Sequence, residues 1–363
     1  MNLFLCKTPM QILRAIQLAY YKENGFEESA ICIFATFDQA KNLYQRISDL
    51  QIFKESFLFE DNFIKGKLAY FRNYFINSQF AEFLKGYSYT SMTIFNSDSY
   101  DAFVAYNLLR KKNAVKVYYI EDAPMIYSYL TPSEKNIKLG KVLGLKFPIF
   151  EVDRWYFSVP EKMKRVNDAE TVRLRPLNRE DKDFVKIVNK AFDYTEDALI
   201  NNTDVFIMEE CFFTDKIITD NSDYLLYKSI KERYPNKRFT VKLHPRTKVN
   251  RFAGEFDCIQ KSTIPWEVYL LNQNMNNAIF LSLSCGTVLS PKLLFGDEYR
   301  CMMLYRLFKD KARRTTGEPY YTQEWEELLN KISGIYTTKS NIVSPKSKNE
   351  VFSILDKWLR DSK

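Results

Sequence analysis

The only histidine of the chain, His244, ends the apolar run FTVKLHPR and is followed by Pro245 and Arg246. Because proline has no N–H group and ends a strand ladder, the run predicts that His244 lies at a sheet edge. An imidazole beside a cation can bind a phosphate or give it a proton, since its ordinary pKa lies near neutrality. A hydrogen-bonded histidine without a chemical role is the alternative.

A second run, IFLSLSCGTVLSPK, places small and hydroxyl residues after a predicted strand. The residues are Ser282, Ser284, Gly286 and Thr287, and a helix is predicted to begin at Gly286. Free backbone N–H groups at a helix N-terminus can face an anion, so this run is a candidate phosphate site. An ordinary capped helix is the alternative. The two runs support each other, because both are expected to face the same cleft.

Carboxylates follow a third predicted strand, Asp204–Met208. Glu209 and Glu210 come directly after it, and Asp215 lies a little further along in a predicted loop. One of these three side chains could take the proton from an acceptor hydroxyl. Simple surface placement is the alternative for each of them.

The first half of the chain carries a matching set of polar residues. Glu121 and Asp122 follow the predicted strand Val115–Ile120, and could bind acceptor hydroxyls or act as a base. Thr8 and Gln11 lie where the first predicted strand meets its helix, facing the same cleft. Helix capping and solvation are the alternatives for all four.

Short apolar runs without strict alternation, separated by helical patterns, predict parallel sheets covered on both faces. The first run is Asn2–Cys6, and Thr8 and Pro9 then start a helix that reaches about Tyr21. We predict an α/β fold of two doubly wound, Rossmann-like domains facing a cleft. Residues 1–158 are expected to form an N-terminal α/β domain, the charged stretch 159–177 a linker, and residues 178–363 a C-terminal α/β domain.

Composition restricts the class of protein. The 363 residues carry a net charge of +8, spread along the chain, and no recognised motif, so nucleic-acid binding is not expected. Six unpaired cysteines and the lack of a targeting or membrane-spanning run predict a cytoplasmic protein. Peripheral attachment at the cytoplasmic face of the inner membrane and a homodimer are left open. No metal is expected, because the nearest DxD-like run, Asp98-Ser99-Tyr100-Asp101, has the wrong spacing. No cofactor is expected either.

Four blocks, NLFLCKTPMQILRAI, YYIEDAPMIYSY, VKLHPRT and LSLSCGTVLSP, together resemble glycosyltransferase family 52. This resemblance implies a GT-B-like fold and CMP-sialic acid as the donor substrate. It also implies an inverting, metal-independent transfer of sialic acid to a galactose-terminated lipooligosaccharide or capsule glycan. The partners would then be a nucleotide-sugar donor, bound by the domain of residues 178–363, and a glycan or glycolipid acceptor, on the side of residues 1–158.

Site roles follow from the same resemblance. It makes His244 the general acid toward the departing phosphate, with Ser284 and Thr287 contacting that phosphate. It implies an aspartate base early in the second domain, for which Asp215 is the first choice, ahead of Glu210 and Glu209. Two alternatives stay open: the same fold with a UDP-hexose donor, and a non-catalytic, transferase-like protein that binds glycans.

Overall fold

A computed structural model describes residues 1–22, 25–60, 78–95, 99–122, 132–162, 165–259, 264–273, 275 and 277–360. The chain divides into two compact units. One comprises Met1–Tyr194 with Thr263–Val268, and the other comprises Thr195–Ser262 with Tyr269–Lys363.

The first unit is built on a seven-stranded parallel sheet. Its strands are β1 (Asn2–Cys6), β2 (Ser29–Phe34), β3 (Glu55–Phe59), β4 (Ser91–Ile94), β5 (Lys116–Ile120), β6 (Val152–Phe157) and β7 (Glu170–Arg173). Their order across the sheet is β3-β2-β1-β4-β5-β6-β7. The chain therefore starts in the middle, runs out to β3 and crosses back to β4, which is the doubly wound topology.

Helices join these strands. They are α1 (Pro9–Tyr21), α2 (Ala40–Leu50), α3 (Ser78–Lys85), α4 (Tyr100–Leu109), α5 (Glu134–Val142) and α6 (Lys182–Phe192). The helix predicted over 67–85 lies partly outside the described residues, which show it from Ser78. As predicted, Thr8 caps α1, since its side chain accepts a hydrogen bond from the Gln11 amide (3.3 Å).

The second unit carries a six-stranded parallel sheet. Its strands are β8 (Val205–Met208), β9 (Phe239–Lys242), β10 (Asp257–Ile259), β11 (Ile279–Ser282), β12 (Arg300–Met303) and β13 (Ile342–Val343), in the order β10-β9-β8-β11-β12-β13. The helices after Tyr194 are α7 (Ala198–Asn201), α8 (Ser222–Arg233), α9 (Trp266–Asn272), α10 (Gln323–Ser333) and α11 (Lys348–Arg360). No described helix is both long and apolar enough to cross a membrane.

The boundary between the units falls later than the predicted linker, 159–177. That stretch supplies β7, whose end residues are exposed, as suits the edge strand of a sheet. Helix α6, predicted to open the second domain, belongs to the first unit: Tyr21 stacks on Phe184 at a ring distance of 5.5 Å and donates to Asp181 (3.0 Å). An exposed, charged edge strand has the same kind of sequence as a linker, which explains why the boundary was predicted too early.

Candidate functional site

The candidate site lies at the carboxyl edge of the second sheet. From the central strand β8 the chain first builds β9 and β10 on one side, and then crosses to β11 on the other. In doubly wound sheets, ligands bind where the strand order reverses in this way. The loop that holds His244 follows β9, and the loop that holds Ser284 follows β11, so the two loops flank the end of β8.

Glu209 fastens the loop that follows β9. One of its carboxylate oxygens, Oε2, accepts hydrogen bonds from the His244 amide (2.9 Å) and from the Thr247 hydroxyl (2.6 Å). Burial raises the pKa of Glu209, while these bonds act in the opposite direction. The structure therefore places this predicted base candidate in a buried brace that holds the His-Pro-Arg-Thr turn.

Glu210 fastens the loop on the other side of β8. Its carboxylate accepts from the amides of Leu283 and Ser284 (2.9 Å each) and from the Ser284 hydroxyl (2.6 Å). The Tyr321 hydroxyl donates in turn to Ser284 (3.3 Å). The two adjacent glutamates thus fix the His244 loop and the Ser284 loop relative to β8. The space between these two loops, beside the end of β8, is called the braced crevice below.

Burial raises the pKa of Glu210 to about 7 from its ordinary value of 4.5. The folded protein then holds this proton over a pH range in which the unfolded chain has lost it, so stability falls as pH rises through that range. We expect the stability advantage of the wild type over Glu210→Gln to shrink between about pH 5 and 8, because only the wild type titrates there. Urea unfolding of both proteins at about pH 5 and about pH 8 measures this difference in the free energy of unfolding.

The matched control is Glu232→Gln, which alters an exposed glutamate of α8. Its stability difference from the wild type should stay constant between the two pH values. A pH-independent difference for Glu210→Gln as well would contradict the raised pKa.

His244 is uncharged at neutral pH. Burial lowers the pKa of its imidazole to about 4, and the positive charges of Arg246 and Lys242 act in the same direction. The sequence suggested an imidazole that could be charged near neutrality, and the structure differs, because burial of the ring disfavours its charged form.

The hydrogen bonds of the ring define its tautomer. Nδ1 accepts a hydrogen bond from the Arg246 amide (3.1 Å) and lies 2.7 Å from the sulfur of Cys211. Since a backbone N–H can only donate, Nδ1 carries the lone pair and Nε2 the proton. Within the described residues no hydrogen bond reaches Nε2, so His244 offers a neutral N–H donor.

Asp215 and Arg246 form an ion pair at 3.1 Å, with 33% and 67% of their side chains exposed. The predicted base is thus tied to a predicted phosphate-binding residue. Exposed pairs of this kind contribute only about 0.2–1 kcal/mol, so an anionic ligand can replace Asp215 as the partner of Arg246. Pro245 lies exposed beside Arg246.

The loop after β11 differs from the predicted helix. Gly286–Leu289 forms a single 3-10 turn, and a wider turn, Pro291–Phe295, follows it. Pro291 has no N–H, so a regular helix cannot run through it. The Ser282 hydroxyl accepts from the Cys285 amide (3.2 Å), and Gly286 and Thr287 remain partly exposed. A ligand at this loop would contact the backbone of Gly286 and Thr287. It would not lie at the N-terminus of a long helix, so no large helix dipole would act on it.

Lys242 is a site residue that the sequence analysis missed. It is the last residue of β9, and its charge contributes to the lowered pKa of His244. Burial raises the pKa of Cys285, and the charge of Lys242 opposes that rise, so Lys242 acts on both loops. The signal was in the run FTVKLHPR, because Lys242 lies only two residues before His244 and its charge therefore stays close to the imidazole.

The polar residues at the carboxyl edge of the first sheet have separate tasks. The Gln11 amide donates to Asp122 (2.9 Å), and burial raises the pKa of Asp122 to about 6. Glu121, in contrast, is buried in an ion pair with Arg14 (3.1 Å). Of the two predicted carboxylates, Asp122 is the one placed to exchange a proton near neutral pH.

The run around Asp101, whose spacing does not match a metal-binding DxD motif, is described only in part. Asp98 lies outside the described residues, and Asp101 is fully buried in an ion pair with Lys7. The described part of the chain contains no group of three or more His, Cys, Asp or Glu side chains that could hold a metal ion.

No protein-family model matches the sequence, and no curated protein matches it. Solved structures share its fold. A UDP-N-acetylglucosamine 2-epimerase aligns over 99% of this chain and 87% of its own, with a TM-score of 0.51 and 10% identity. The UDP-GlcNAc 2-epimerase from Neisseria meningitidis, bound to UDP-GlcNAc, aligns over 100% of this chain and 93% of its own, with a TM-score of 0.50 and 16% identity. The S. aureus MnaA–UDP structure aligns over 100% of this chain and 97% of its own, with a TM-score of 0.51 and 10% identity.

The predicted fold class, two doubly wound Rossmann-like domains of the GT-B type, is confirmed. The resemblance to family 52 is wrong, and with it CMP-sialic acid as donor and the lipooligosaccharide or capsule setting, because the similar structures are UDP-N-acetylglucosamine 2-epimerases and a UDP complex. The matching blocks cover the strand ends of the two sheets. Ligands of doubly wound sheets bind at strand ends in any case, so these blocks did not specify which ligand binds.

Proposed function

We propose that this protein is a metal-independent enzyme that takes a UDP-hexose as donor and transfers the hexose to a hydroxyl group of a glycan or glycolipid. One observation carries the proposal: the braced crevice beside β8 collects the Nε2–H donor of His244 and the positive charges of Lys242 and Arg246, and an anion can replace Asp215 as the partner of Arg246. A diphosphate needs such a set of donors and positive charges. The UDP and UDP-GlcNAc complexes of the compared structures support the choice of nucleotide.

In this proposal His244 stabilises the leaving UDP without giving up its proton. Negative charge develops on the β-phosphate as the glycosidic bond breaks, and a fixed, partly buried N–H donor lowers the energy of that state. Lys242 and Arg246 add positive charge on the same side. A charged imidazole is not required, since UDP departs as a stable anion. As the bond from the acceptor oxygen to the hexose forms, the proton of the acceptor hydroxyl passes to a carboxylate, for which we propose Asp215 once the phosphate has replaced it at Arg246.

Epimerisation of a UDP-sugar is the second candidate. Asp122, with a pKa of about 6, can take up and return a proton near neutral pH, as this reaction requires. The compared 2-epimerases share the fold.

A donor panel distinguishes the two candidates. Purified protein is incubated with UDP-glucose, UDP-galactose or UDP-GlcNAc, with and without lactose-type acceptors, in the presence of EDTA. Acceptor-dependent release of UDP supports transfer, and conversion of a UDP-sugar to its epimer without net UDP release supports the second candidate. If no UDP-sugar binds or reacts, both are overturned.

Lys242 provides a binding test. We expect Lys242→Met to raise the Kd for UDP by about tenfold or more, because a charge-assisted contact with a phosphate is lost. Isothermal titration calorimetry measures this. Lys248→Met changes an exposed lysine six residues further along and should leave the Kd unchanged. Equal affinities for the wild type and Lys242→Met would remove Lys242 from the site.

A further inference from the structure

Cys211 is buried, with 3% of its surface exposed, and its sulfur lies 2.7 Å from Nδ1 of His244. We propose that the Cys211 thiol is a positioning residue, which donates to Nδ1 and holds His244 in the tautomer that presents Nε2–H to the phosphate of the donor. The proposal rests on the proposed function and adds a residue to its site.

The direction of this hydrogen bond follows from the second partner of Nδ1. The Arg246 amide points at the same nitrogen (3.1 Å) and must be the donor. A proton on Nδ1 would meet that N–H head on, so Nδ1 is unprotonated and the thiol supplies the proton of the S–H···N contact. Burial raises the pKa of Cys211 to about 11, which keeps the thiol protonated at neutral pH.

The charged and polar neighbours agree with this arrangement. Lys242 and Arg246 disfavour a second proton on the ring, and Asp215 favours it more weakly. The Thr247 hydroxyl, which also lies beside the thiol, directs its own proton to Glu209 (2.6 Å). Because this proton goes to Glu209, Thr247 does not donate to the sulfur, and the thiol keeps its own proton for the 2.7 Å contact with Nδ1.

Two donors on Nδ1 fix both the protonation and the rotation of the ring. The tautomer of a neutral histidine is set by the hydrogen bond that its other nitrogen makes. Without the thiol, the Arg246 amide alone would have to hold the ring. We expect a fraction of the molecules to turn the ring or to move its proton to Nδ1, and so to lose the donor at Nε2.

The chain has a single histidine, so its state can be measured without assignment. Protein labelled with ¹⁵N-histidine is studied by long-range ¹H–¹⁵N correlation at neutral pH without substrate. The wild type should show one neutral tautomer, protonated at Nε2. Cys211→Ala should show a second, Nδ1-protonated form, and kcat for UDP-sugar turnover should fall on the order of tenfold with little change in KM.

Cys211→Ser should restore the single tautomer and most of kcat, because its hydroxyl can also donate to Nδ1. Cys258→Ala, at a cysteine outside the site, should match the wild type. An Nδ1-protonated ring in the wild type, or an unchanged spectrum and kcat in Cys211→Ala, would overturn the proposal. The spectrum needs no turnover: a tautomer change in Cys211→Ala alongside a wild type inactive on every UDP-sugar would count against the proposed function alone.

Discussion

Replacing His244 with alanine is expected to lower kcat for UDP-sugar turnover by about 10²–10³-fold, the usual effect of removing one fixed donor to a developing negative charge. The Kd for UDP should rise much less, because Lys242 and Arg246 remain. Initial rates and calorimetry on the same protein preparations separate the two effects. A kcat within a few-fold of the wild type would contradict the role of His244.

Two matched variants, His244→Gln and His244→Asn, test which ring nitrogen of His244 is needed for activity. The amide nitrogen of glutamine can occupy the position of Nε2, whereas that of asparagine reaches only as far as Nδ1. We therefore expect His244→Gln to retain more activity than His244→Asn. The reverse order would contradict the Nε2–H donor.

The pH profile of turnover tests the charge of the same residue. Because burial lowers the pKa of His244 to about 4, the imidazole should stay neutral between about pH 5 and 8. Its protonation should therefore cause no change of kcat in this range. A general acid that must be charged would instead lose activity as pH rises through the ordinary pKa of histidine. A falling limb near pH 6.5 that disappears in His244→Gln would support that role and contradict the neutral donor.

Replacing Arg14 with methionine is expected to lower the free energy of unfolding by about 3–5 kcal/mol. Arg14 is 1% exposed and binds Glu121 (3.1 Å) and Gln17 (2.8 Å). Glu121 also accepts from the Ser158 amide (2.8 Å), so the network joins α1, β5 and the end of β6. Methionine fills a similar volume but leaves the Glu121 carboxylate buried without its cation.

Urea unfolding measures this loss, and two further variants interpret it. Arg14→Met combined with Glu121→Gln should be more stable than Arg14→Met alone, because no unpaired charge is left in the interior. Lys141→Met, on the exposed face of α5, should lie close to the wild type. A loss below about 1 kcal/mol for Arg14→Met would show that the pair is solvated.

Local signals in the sequence predicted the parts of the fold that depend on neighbouring residues. The buried run Asn2–Cys6 and the Thr8-Pro9 start of α1 are both found as predicted. The domain boundary needed non-local information, because β7 is recognisable only through its pairing with β6. A charged edge strand and a linker have the same composition.

The site shows the same division. The sequence placed Glu209 and Glu210 at the end of β8, but their partners lie 35 and 74 residues away in His244 and Ser284. Parallel strands that are distant in sequence bring those loops together. The pKa of His244 could not be predicted either, since it depends on burial, whereas the closeness of Lys242 to His244 could have been predicted from their spacing of two residues.

A titration with UDP, followed through the His244 resonances of histidine-labelled protein, tests nucleotide binding at the braced crevice most directly. We expect a saturable shift of Nε2 and its proton, with the ring still neutral, and a weaker affinity in Lys242→Met. If calorimetry detects UDP binding while the His244 signals do not change, the nucleotide binds elsewhere and the assignment of this site is contradicted.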